Sequence, residues 1–170
     1  MINFYNKIIA KFESEEVLNS FEEDNISPPK QIGMYMRQDL DPNNLDLFED
    51  NFLFIDWKVD HSIDYPIATI SFRLPYKQLR DISNPVNRDF EVNFLKYVNK
   101  VREVLNEFET DTTGKLEFIE EKFSRKKTVV DTYVLKFECS YIGIKKQEDE
   151  LGTYEELYLS STKFYNPIID

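Results

Sequence analysis

At 170 residues the chain has the length of one domain. Its 41% hydrophobic and 15% aromatic content, led by fourteen Phe and ten Tyr, excludes wholesale disorder, because those rings carry enough apolar area to build a core. A formal charge of −11 disfavours nonspecific attraction to nucleic-acid phosphates and anionic membranes, and the single cysteine, Cys139, excludes an internal disulfide framework or a multi-cysteine zinc site.

The charge is uneven. Residues 1–60 hold thirteen acids and five bases, a balance of −8, against −3 for the remainder. The opening MINFYNKIIAKFESEE has too short an apolar run for a signal peptide, and no run approaches the ~20 residues that cross a bilayer. The expectation is a soluble intracellular protein that takes no membrane partner.

Ile2 to Phe21 reads as a helix with Tyr5, Ile8, Ile9 and Phe12 on one face, broken near Ser14 and continued by Val17, Leu18 and Phe21. Residues 22–50 read as an irregular connection, since Pro28-Pro29 forbids helix and favours an extended path. Asn51 to Asp60 alternates, with Leu53, Ile55, Trp57 and Val59 inward and Phe52, Phe54, Asp56 and Lys58 outward. Ile67 to Leu74 alternates too, with Ala68, Ile70, Phe72 and Leu74 inward.

Asn84 to Phe108 carries the clearest helical period. Phe90, Phe94, Tyr97, Val98, Val101, Val104, Leu105 and Phe108 fall on one stripe. Asn84 suits the cap, Pro85 the first helical position, and Thr110 to Gly114 the stop. Lys115–Phe123 and Thr128–Ile144 read as a strand pair joined by a polar break at 124–127. The second strand is long enough to predict a hairpin projecting beyond the sheet. Residues 160–170 read as an extended tail. The prediction is a single α+β domain over 1–170, with a mainly antiparallel sheet and the central amphipathic helix packed on it.

Candidate chemistry is sparse. Asp39-x-Asp41-x-Asn43 with Asp50 has the spacing of a calcium loop, but Asn44 replaces the turn glycine, Asp46 stands at an apolar position and Pro42 restricts the loop. An acidic surface loop is the stronger reading. His61, the only histidine, lies in a turn beside Asp60 and Asp64, and reads as a solvated residue more readily than as a general base. Cys139 alternates with an apolar face and reads as a packed thiol. The four glycines are isolated, so no phosphate-binding loop exists. Arg125-Lys126-Lys127 forms a basic turn, conceivable as a nucleic-acid contact but read more simply as a soluble hairpin end. No cofactor or metal is expected, and no enzyme.

The strand IATISFRL, the helix FLKYVNKVREVLNEF and the strand TYVLKFECSYIGI follow one another in an order that resembles small ring-forming proteins of tailed phages. These are the tail-terminator and head–tail connector proteins, those of the crAss-like phages among them. The resemblance spans about residues 50–145 in element order. It implies a non-enzymatic virion protein, made in the host cytoplasm and assembled as a homomeric ring at the neck or tail. Its partners would be copies of itself and other virion proteins, with DNA passing through without specific binding. Within that expectation the basic turn Arg125, Lys126 and Lys127 and the tail aromatics Phe164 and Tyr165 are the candidate contacts. Two other classes stand beside it: an acidic module imitating DNA charge, suggested by the −8 of residues 1–60, and an enzyme using His61 or the 39–50 loop.

Overall fold

The computed structural model describes residues 1–41, 50–62, 64–77, 85–124 and 130–143. Three helices, α1 (Ile2–Phe12), α2 (Glu15–Glu23) and α3 (Pro85–Leu105), accompany five strands, β1 (Gln31–Met34), β2 (Phe52–Asp60), β3 (Ile67–Lys77), β4 (Glu117–Ser124) and β5 (Val130–Ser140). The strands form one sheet in the order β1-β2-β3-β5-β4, with β1 parallel to β2 and every other pairing antiparallel. The fold is α+β.

Register sets the two faces. Ile55 lies opposite Phe72, Trp57 opposite Ile70, and Ile70 opposite Phe137. Residues paired across strands share a face, so Leu53, Ile55, Ala68, Ile70, Phe72, Leu74, Leu135, Phe137 and Cys139 make one apolar layer. The helices close it. Phe4, Ile8, Phe12, Val17 and Phe21 join the same buried cluster as Phe94, Tyr97, Val98, Val101 and Leu105 of α3. Each large side chain buried there stabilises by about 1.5–3 kcal/mol. Tyr97 also donates its hydroxyl to Phe52 O across 3.1 Å, so its polar tip is satisfied inside the core.

Several local expectations need correction. The α1 stripe turns on Phe4, Ile8 and Phe12, with Tyr5 and Ile9 only half-buried. The break at Ser14 is an N-cap, since its Oγ accepts from Val17 N and donates to Lys11 O across 2.7 Å. On α3, Phe90 is exposed, and the helix ends at Leu105 rather than near Thr110. Glu107 takes a left-handed conformation (φ 59°), which turns the chain so that Phe108 meets Phe4 edge-on. Asn84 lies outside the described residues.

The connection at 22–50 is not wholly irregular: β1 and a short 3-10 turn, Gln38–Leu40, form within it. The tip of the hairpin expected to project, residues 125–129, lies outside the described residues. β5 pairs with β3 along all eleven residues and with β4 on its other side, so its length is used inside the sheet. β5 stops at Ser140, with Tyr141 held in a single bridge to Thr113, and residues 125–129 and 144–170 lie outside the described residues. Among the described residues no helix is long and apolar enough to cross a membrane.

Candidate functional site

The face of the sheet turned away from the helices differs along its length. At one end Phe52, Phe54 and Val130 are buried, with Phe52 and Phe54 on the side opposite Leu53 and Ile55, as the alternation placed them. Tyr35 packs against them. Tyr35 leaves β1 with its N–H on Ile55 O (2.9 Å), Arg37 reverses the chain at φ 65°, and the 3-10 turn then carries Asp39 inward to 3% exposure.

There Asp39 Oδ1 accepts from the Tyr35 hydroxyl (2.8 Å) and Oδ2 from Thr132 Oγ1 (2.9 Å). The guanidinium of Arg73 lies 4.3 Å from the Tyr35 ring centroid, a cation–π contact, and reaches Asp56 at 3.6 Å. Burial, then the hydrogen bond and charge of Asp39, push the Tyr35 phenol up to about 12, so it stays a donor.

The calcium-loop pattern is described only in part. Asp39 is buried on hydroxyl donors, Asp41 is exposed, Asp50 is bonded to Lys30, and residues 42–49, Asn43 among them, lie outside the described residues. Among the described residues no three His, Cys, Asp or Glu side chains are grouped to hold a metal.

The other nominated residues are placed as follows. His61 is exposed, and its ring sits edge-on to Tyr141 at 6.1 Å. The Asp60 carboxylate accepts from Ser62 N (2.8 Å) and Ser62 Oγ (2.6 Å), which holds it below the usual carboxylate range. Cys139 is buried, and burial pushes its thiol up to about 11, the reverse of what a nucleophile needs. Arg125, Lys126, Lys127, Phe164 and Tyr165 lie outside the described residues.

Two hollows open on the described surface. One of about 450 Å³ lies between Pro28-Pro29 and the Phe90–Phe94 turn of α3; its charged residues, Lys30 and Asp50, bond each other. A shallower one of about 700 Å³ runs past Tyr65, Glu117 and Glu138. The second is lined by Asp64, Glu117 and Glu138 together with Lys115 and Ser140, beside the buried Cys139.

Sequence reading found a strand at Lys115–Phe123 and missed that it is an outer one. All of residues 117–123 on β4 are exposed, including Phe118, Ile119 and Phe123 at 39%, 44% and 37%. β5 flanks β4 on one side, and no described strand lies on the other. The signal was present in Lys115–Phe123, where IEEK breaks the alternation: Ile119 is the extra residue of a bulge, with Phe118 opposite Phe137 and Glu120 opposite Lys136. Arg102 of α3 leans over this edge, bonded to Glu121 at 3.3 Å and 5.6 Å from the Phe118 ring. An exposed edge strand offers its free main chain for adding another strand, and here Phe118, Ile119 and Phe123 alternate with Glu117, Glu120, Glu121 and Lys122, which limit what can pair with it. Compared with known proteins, the chain matches no family model and no curated sequence.

Proposed function

We propose that the chain is a non-enzymatic structural protein that acts by joining copies of itself and other virion proteins, as a homomeric ring at the neck or tail of a tailed-phage particle. The observation that carries this reading is the outer edge of β4, where Phe118, Ile119 and Phe123 stay exposed beside a sheet that has no further described strand. A working surface made of main chain and apolar side chains recognises protein rather than turning over a small molecule.

The side chains best suited to chemistry support the same view. Asp39 ties two parts of the fold together, Cys139 is packed, and His61 rests on Tyr141. The acidic surface suits a part that DNA passes without sticking.

Mass spectrometry and electron microscopy of purified virions test the proposal. The expected result is the chain in the particle as a closed ring at the neck or tail. Its absence from the particle overturns the reading.

A further inference from the structure

The two outer strands of the described sheet differ in how they end. At β1 the main chain is already met from outside: Gln38 Nε2 donates to Met34 O across 2.9 Å, and its Oε1 accepts from Met36 N across 2.7 Å. That pair of bonds imitates a neighbouring strand and blunts the edge. At β4 the whole run 117–123 is exposed. A sheet with one edge blunted and the other without a further described strand does not extend head to tail, but two such edges can meet about a twofold axis.

From this we infer that two copies of the chain pair β4 against β4, antiparallel, about a twofold axis at Glu121. The bulge selects that register. Phe118 and Ile119 together oppose Phe137 on the helix-covered face, after which Glu121 and Phe123 keep to that face while Glu120 and Lys122 turn to the open one. Centring the axis on Glu121 sets Glu120 opposite Lys122 of the second copy, twice, on the open face. It sets Ile119 opposite Phe123 of the second copy, twice, on the helix side. Moving the axis one residue either way places Glu120 against Glu120 or Lys122 against Lys122, and like charges directly opposite are destabilising.

At the axis itself the two Glu121 carboxylates meet. Each already accepts from its own Arg102 at 3.3 Å, so the countercharge comes with the chain. Leu95, half-exposed and two helical turns before Arg102 on the same row of α3, adds apolar area beside the joined strands. The inference goes beyond the virion reading and stands without it. A ring built on this contact is a ring of dimers, with an even number of chains and a second, different surface between them.

Charge exchange tests the register. Sedimentation equilibrium of the full chain is expected to show a dimer or an even multiple of it. Glu120→Lys and Lys122→Glu each put like charges in both pairs, and each variant alone is expected to associate about tenfold or more weakly; the melting temperature is expected to hold in Lys122→Glu and to fall slightly in Glu120→Lys, which loses its 3.5 Å contact with Lys136. Mixed in equal amounts they are expected to regain the wild-type affinity, because one chain is then basic at both positions and the other acidic.

A wild-type chain that stays monomeric through the millimolar range overturns the inference, even if it captures a strand from another protein. So does a variant that dimerises as tightly as wild type, or a mixture no tighter than its parts. A dimer with this charge behaviour in a chain absent from virions leaves the inference intact and removes only the virion reading.

Discussion

Thr132 Oγ1 donates to Asp39 Oδ2 across 2.9 Å, joining residues 93 apart in sequence. The bond pins the 35–41 segment, whose Tyr35 packs against Phe52 and Phe54, onto β5. Thr132→Val is expected to lower stability by about 1–3 kcal/mol, because it leaves a buried carboxylate oxygen without its donor. Urea unfolding measures it. Calcium or a chelator is expected to leave the wild-type midpoint in place; a calcium-dependent rise would return Asp39 to the role of a ligand.

Alkaline pH probes the same cluster. Tyrosines of the unfolded chain lose their protons near pH 10, whereas Tyr35 in the fold holds its proton to about 12, and burial shifts Tyr97 upward too. Above pH 10 the unfolded state therefore binds fewer protons than the native one, so stability falls with rising pH. The contribution of Tyr35 is complete below pH 10 and lost by about pH 12. Tyr35→Phe is expected to flatten the decline over that interval, read from urea midpoints at successive pH values. A decline of unchanged slope would mean that the phenol is not buried as described.

The stripe of α3 separates two leucines that look alike in sequence. Leu105 is fully buried and Leu95 is 50% exposed. Leu105→Ala is expected to cost about 2–5 kcal/mol, and Leu95→Ala within about 0.5 kcal/mol at a concentration where the chain is monomeric. Equal losses in chemical denaturation would show the helix to be rotated from its described packing. Val101→Asp, which places a charge at a fully buried position, is expected to prevent stable folding.

Ser14 offers a local test. Its side chain accepts from Val17 N and donates to Lys11 O, joining the end of α1 to the start of α2. Ser14→Ala is expected to lower stability by about 0.5–2 kcal/mol, and Ser14→Asp, which keeps the acceptor, by less. Thermal melts followed by circular dichroism distinguish the two.

Sequence alone settled what depends on neighbours along the chain. The period of Phe94, Tyr97, Val98, Val101 and Leu105 located α3, the alternation through Ile67–Leu74 and Tyr133–Cys139 located two strands with their buried faces, and the break at Ser14 located the boundary between α1 and α2. These follow from side-chain geometry that repeats every 3.6 or 2 residues, whatever lies across the core.

The tertiary structure alone decided the rest, because those features rest on contacts between distant residues. The spacing of Asp39 and Asp41 could not reveal that Thr132 would arrive to bury the first and leave the second in water. Nor could the length of Val130–Ser140 show that β3 and β4 would both line up along it, placing this eleven-residue strand inside the sheet and β4 on its rim. Strand order decides which edge stays open. No local pattern encodes it, because any of the alternating segments could have taken the outer place, and only their joint packing against α3 put Phe118, Ile119 and Phe123 there.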